Sequence, residues 1–291
     1  GNASGKSLDG TNDTIILGYG SGGNISGSAD SDGKNIIIGN ESALNITSGR
    51  AIIIGHGSGT KSTGDDIMVI GNQAGRTVEG PRNTIIGNYA GGISNSNNYP
   101  IKGGDNVLIG TYAGYSLNTG SHNVIIGSGD SSNGSSGYDI TSGDGNMIMG
   151  YRAGRQLTTG DFNVLFGKNA GNKVNDGNRN VIIGNDAGKE LGSAGSNNDD
   201  NLILGNEAGY NYTNAASLLL IGQRAGYSGT SGQDNTYIGN DTGYENVSGA
   251  RNTLIGSKAG YKNTDSDNTM IGVSAGEYST TAQQNTFIGQ Y

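Results

Sequence analysis

Mostly apolar residues along this chain come in groups of three, usually opened by a polar residue and closed by glycine. Asn252-Thr253-Leu254-Ile255-Gly256 shows the pattern, and fifteen further copies close at Gly18, Gly39, Gly55, Gly71, Gly87, Gly110, Gly127, Gly150, Gly167, Gly184, Gly205, Gly222, Gly239, Gly272 and Gly289. The spacing is mostly 16 or 17 residues. A fixed period of this kind marks a repeat architecture, in which each unit stacks on its neighbours. The triplets are short and rich in β-branched residues, so each predicts one strand. The following Gly-x-x-Ala-Gly and Thr-Gly segments predict corners, as in residues 106–120, NVLIGTYAGYSLNTG. One or two short strands per coil, in about sixteen coils of 16–17 residues, predict an all-β parallel β-solenoid, or β-roll.

Four longer gaps predict loop insertions near 22–34, 92–104, 129–145 and 190–200, rich in Gly, Ser, Asn and Asp. No composition shift divides the chain, and the expectation is a single continuous repeat solenoid over 1–291. Gly1 lies 17 residues before Gly18, and Gln290-Tyr291 stop two residues into the next half-coil. Such in-phase ends suit a fragment of a longer array, or a unit stacking end to end on copies of itself.

The second and third positions of every triplet are apolar, and residues alternate faces along a strand. Both faces therefore ask for burial, whereas a solenoid has one interior. The expected partner is the chain itself, as a trimer or an open filament. The core and self-association strand residues are Ile37, Ile53, Ile85, Leu108, Ile125, Ile182, Ile203, Leu254 and Ile255; which face is interior stays open at this stage. The first position becomes Thr236, Thr253, Thr269 and Thr286 in the last four copies, a wetter edge that can also order water on an ice-binding face.

Asn opens twelve copies, and in-register stacking predicts a hydrogen-bonded ladder through Asn106, Asn123, Asn146, Asn163, Asn180, Asn235, Asn252, Asn268 and Asn285, with Asn35, Asn83 and Asn201 on the same row. A second row, Tyr210, Tyr227, Tyr244 and Tyr261, repeats every 17 residues, with Tyr115 further up. It predicts an aromatic stack that serves packing or, if exposed, binds sugar rings or a partner.

Composition then narrows the chemistry. Glycine fills 56 of 291 positions without the every-third spacing of collagen, consistent with turns. There is no cysteine, which excludes disulfides, thiol catalysis and cysteine-bound zinc. A formal charge of −8, with 17 basic residues scattered singly, argues against a nucleic-acid surface. No apolar run is long enough for a direct membrane span. Only His56 and His122 occur, without a nucleophile-base pattern, and Gly5-Lys6-Ser7 lacks the strand and spacing of a P-loop. The chain is expected to be no enzyme and to need no cofactor. Asp30/Asp32, Asp65/Asp66, Asp199/Asp200 and Asp265/Asp267 are the places where Ca²⁺ could bind, but they do not recur in register. A carboxylate pair for polysaccharide depolymerisation would have to come from distant coils.

Asn106-Val107-Leu108-Ile109-Gly110, followed by Ala113-Gly114, resembles the Asn-Ser-Val-Ala-Ile-Gly and Ala-x-Gly repeats of YadA-like heads in trimeric autotransporter adhesins. Similar arrays occur in phage tail fibres and large bacterial surface proteins. The resemblance implies a left-handed β-roll, trimerised with apolar strands facing the axis and working outside the cell in attachment. The coil here is longer, insertions interrupt it, and stalk heptads are not seen. Together the sequence predicts a non-enzymatic extracellular protein of a fibre, filament or sheath on the cell surface or virion. The alternative is a receptor- or glycan-binding adhesin head or tail fibre.

Overall fold

The computed structural model describes residues 4–5, 7–9, 13–26, 34–47, 49–92, 100–130, 134–193, 198–281 and 283–290. The central parts of the four predicted insertions, at 27–33, 93–99, 131–133 and 194–197, lie outside the described residues. The chain is an all-strand parallel β-solenoid, one triplet strand per turn. No helix among the described residues is long and apolar enough to cross a membrane. Contacts divide it into two compact units, Gly1–Asn146 and Met147–Tyr291.

In the first unit, strands Ile15–Leu17, Ile36–Ile38, Ala51–Ile54, Ile67–Ile70, Thr84–Ile86, Val107–Ile109 and Val124–Ile126 pair in parallel, each with the next. Their register follows the repeat, with Ile37 beside Ile53, Ile53 beside Val69 and Leu108 beside Ile125. This unit also has a second, shorter parallel sheet, made by Ser7–Asp9, Asn24–Ser26, Asn45–Ile46, Lys61–Ser62 and Thr77–Val78. A bridge from Val78 to Ile101 carries it one turn further.

In the second unit, nine strands from Met147–Met149 to Thr286–Ile288 form one parallel ladder in the same register. The segment after Ala-Gly closes on itself here, through bonds such as Leu157 N–H to Gly154 O and Tyr212 N–H to Gly209 O.

The middle residue of the triplet faces the interior. Ile37, Ile53, Ile85, Leu108, Ile125, Ile182, Ile203 and Leu254 are all fully buried. The alanine of each Ala-Gly corner is buried as well, at Ala74 and Ala113 in the first unit and at Ala170 and Ala259 in the second. The corner needs glycine for a separate reason. At Gly256, φ is +128°, and a Cβ would sit 2.4 Å from the carbonyl oxygen of Gly272 one turn on.

Candidate functional site

Because the second triplet position is inside, the first and third point outward. Eight of the nine residues expected on the strand are therefore interior and out of a partner's reach; Ile255 alone faces out, half-buried. In the second unit the third position runs Met149, Phe166, Ile183, Leu204, Ile221, Ile238, Ile255, Ile271, Ile288, with no charge. In the first unit it runs Leu17, Ile38, Ile54, Ile70, Ile86, Ile109, Ile126. The first position is apolar as far as Leu219, except Thr84, and then becomes the threonine row, with Thr236, Thr253 and Thr269 half-buried and Thr286 exposed. Most of these side chains are only half-exposed because neighbours one strand away, at about 4.8 Å, shield one another. Met147 and Phe166 are each 50% exposed, so the rest of the described chain does not cover this face there.

The Asn residues form ladders inside the coil. In the first unit, Asn106 Nδ2 and backbone N–H both donate to Asn83 Oδ1, each at 3.0 Å, and Nδ2 donates again to Gly120 O at 2.9 Å. Asn123 and Asn146 repeat this on the turn before them. In the second unit, Asn163, Asn180 and Asn201 form one run, and Asn235, Asn252, Asn268 and Asn285 another. Leu218 separates them, its backbone N–H still donating to Asn201 Oδ1 at 3.0 Å. Within the runs the amides bond to one another and to backbone carbonyls, which is why a polar group can be fully buried here. Asn35 is the exception: its Oδ1 accepts from the backbone N–H of Ala51 on the next turn at 2.9 Å, while its Nδ2 has no partner among the described residues.

The residue just before Asn carries a column that the sequence did not disclose. It sits in the left-handed region, as at Asp66 (φ +59°), Arg82 (+55°), Asp105 (+61°) and Arg251 (+55°). Consecutive turns thus place Arg50 against Asp66, Arg82 against Asp105 at 2.6 Å, Arg179 against Asp200 at 2.6 Å and Arg251 against Asp267 at 2.6 Å. Each pair is two-pronged, Nε and a terminal nitrogen both donating. The guanidinium holds each of the four carboxyls below its ordinary value.

These contacts also account for the paired aspartates. Asp65 and Asp199 accept backbone N–H bonds from Gly49 and Asn178, at 2.7 and 2.8 Å, while Asp66 and Asp200 engage arginine. Asp30 and Asp32 lie outside the described residues. Among the described residues no group of three His, Asp or Glu is placed to hold a metal ion. His122 Nε2 lies 3.7 Å from Asp105, and His56 borders an open groove.

Tyr210, Tyr227, Tyr244 and Tyr261 stack with ring centroids 5.1–5.2 Å apart, the last two pairs within 3° of parallel. Lys189 Nζ donates to the Tyr210 hydroxyl at 2.8 Å and lies 4.8 Å from its ring centre, and this bond raises the lysine's pKa. Ring faces within the row are occupied by neighbouring rings, so the row offers edges and hydroxyls rather than free faces for sugar stacking. Tyr115 belongs to a different cluster, stacked on Tyr138 at 5.0 Å and edge-on to Tyr112. Comparisons with protein families, curated proteins and solved structures return no match for this chain.

Proposed function

We propose that this chain is a non-enzymatic structural repeat protein that builds an extracellular fibre, surface filament or sheath by self-association through its outward strand face. The observation that carries this reading is the uncharged double row of outward side chains on the triplet strands, uncovered in each unit. An exposed apolar surface continuous over many strands marks an interaction site. A second copy is the partner that fits best, because its rows repeat at the same strand spacing and can interdigitate turn for turn. The likeness of Asn106–Gly110 and Ala113-Gly114 to adhesin-head and tail-fibre repeats agrees with a role outside the cell. It also favours the second reading, a trimeric attachment head.

Sedimentation velocity on the native chain and on an Ile221→Lys, Ile238→Lys double variant tests the proposal. Both side chains face outward, so the variant keeps the core intact. The native chain is expected to sediment as an assembly and the variant as a single 29.5 kDa chain. Identical single-chain sedimentation of both would refute self-association through this face.

A further inference from the structure

The second and fifth residues after the glycine that closes a triplet lie side by side, flanking the buried Ala-Gly corner. On one turn of the first unit they are Tyr112 and Tyr115, with ring centroids 5.4 Å apart. On a turn of the second unit they are Asp186 and Lys189, whose charged groups approach to 3.8 Å. The turn that follows Gly150 puts Arg152 and Arg155 at the same two positions. Arg152 has the left-handed conformation that the position has elsewhere, φ +58° against +60° at Tyr112 and +54° at Asp186. No other turn of the second unit has a cation at both places.

Five other arginines, Arg50, Arg82, Arg179, Arg224 and Arg251, each engage an aspartate one turn on. One turn on from Arg152 and Arg155 stand neutral amides instead, Asn169 and Asn172. Asn169 Nδ2 donates to Asp186 Oδ1 at 2.7 Å, and Asn172 Nδ2 donates to the Arg152 carbonyl at 2.9 Å. Asp186 is two strand spacings away, about 10 Å, and is engaged by Asn169 and Lys189. Both arginines are half-buried, and the Nε of each is enclosed by the chain with no hydrogen-bond partner among the described residues.

Two guanidinium groups on positions this close repel each other, and an anion between them turns the repulsion into attraction. A carboxylate brings a single charge and a pair of oxygens, which one arginine fork satisfies. A phosphate monoester brings close to two charges and three acceptor oxygens, enough for both forks. The diester backbone of a nucleic acid would call for a longer basic track. From this placement we infer that Arg152 and Arg155 form a binding site for a phosphate monoester, gripped between the two guanidinium groups. Neither residue belongs to the outward strand face, so the site stands independently of self-association.

Calorimetric titration of the full chain with glucose 6-phosphate, inorganic phosphate, glucose and acetate, at one ionic strength near neutral pH, tests the site. The sugar phosphate is expected to bind at least about tenfold more tightly than acetate, and glucose not at all. Inorganic phosphate that matches or exceeds the sugar phosphate would show that the anion alone is read, and weaker inorganic phosphate that the attached sugar is read as well; either supports the site. Arg155→Gln should weaken binding about tenfold or more. If circular dichroism shows that variant to be unfolded, Arg152→Gln is titrated with the same expectation. Arg179→Gln, whose guanidinium is already held by Asp200, should leave the affinity unchanged. Binding should also weaken below about pH 6, where the ester takes up a proton. Absence of phosphate binding by the native chain, acetate binding as tightly as the sugar phosphate, unchanged affinity in the folded variant, or an equal loss in Arg179→Gln would each overturn the assignment. Oligomeric state, measured on the same samples, separates failure of this site from failure of self-association.

Discussion

Tyr212 fills the space that Gly229 leaves empty one turn further on. A Cβ added at Gly229 would lie 2.2 Å from Tyr212 Cζ, and Tyr212 is completely buried. Other turns use Leu117, Leu157, Val174 or Leu191 at the place of Tyr212. The two positions therefore compensate, large against none. Gly229→Ala should destabilise the second unit by about 2 kcal/mol, the usual cost of overpacking a core. Tyr212→Leu in the same chain should restore most of the loss. Denaturant unfolding of the single and double variants measures the coupling directly, and additive effects would show that the two residues do not compensate.

The asparagine ladder should be costly to interrupt in the middle of a run. Asn123 Oδ1 accepts from both nitrogens of Asn146, and its Nδ2 donates to Asn106 Oδ1 and to Gly143 O at 2.8 Å. Asn123→Leu strands several buried polar groups at once and should cost about 3 kcal/mol in the first unit, by equilibrium unfolding. A loss below about 1 kcal/mol would mean that the neighbouring amides find other partners.

Acid should erode the arginine–aspartate column. The carboxyls of Asp66, Asp105, Asp200 and Asp267 are lowered in the folded chain by hydrogen bonds from their arginines. A depressed folded-state pKa contributes stability that is complete above the unfolded value and is lost as pH falls through the folded value. Melting temperature should therefore be level near neutrality and decline from about pH 4 downward. Asp105→Asn should flatten part of that decline. The pairs are solvent-exposed, so added salt should shrink the difference between variant and native chain.

Alkali should act through two buried phenols. Burial raises the pKa of both Tyr212 and Tyr237 above the ordinary tyrosine value. The Tyr212 hydroxyl lies beside Asn235 and Tyr237 without completing a hydrogen bond of ordinary geometry. Above about pH 10 the unfolded chain loses these protons while the folded chain keeps them, so stability falls as pH rises. Of the 15 tyrosines, these two should appear as phenolate only when the second unit unfolds. Ultraviolet difference absorbance followed alongside circular dichroism checks the coincidence.

The repeat, the strand triplets and the Asn and Tyr rows were legible because each recurs at the coil length and uses one residue type. The inward face was not. Leu254 and Ile255 are equally apolar, and only the folded coil, with Leu254 fully buried and Ile255 half-buried, settles which of them is enclosed. Paired aspartates looked like turns or Ca²⁺ ligands because their partners, Arg50 and Arg179, lie 16 and 21 residues away. Alternating charge at such intervals leaves no local signature. The sequence allowed a second strand per coil but did not place it, since Lys61-Ser62 and Thr77-Val78 have no hydrophobic alternation. Two buried asparagines, Asn246 and Asn263, hydrogen-bond at 3.3 Å and were missed because they look like loop residues.

The central claim is that the outward strand face joins copies of this chain. Light scattering coupled to size-exclusion chromatography, run on the native chain at concentrations up to its solubility limit, tests it most directly. The account predicts a mass that is a multiple of 29.5 kDa, either a closed trimer or a species that grows with concentration. A mass of one chain at every concentration would contradict it.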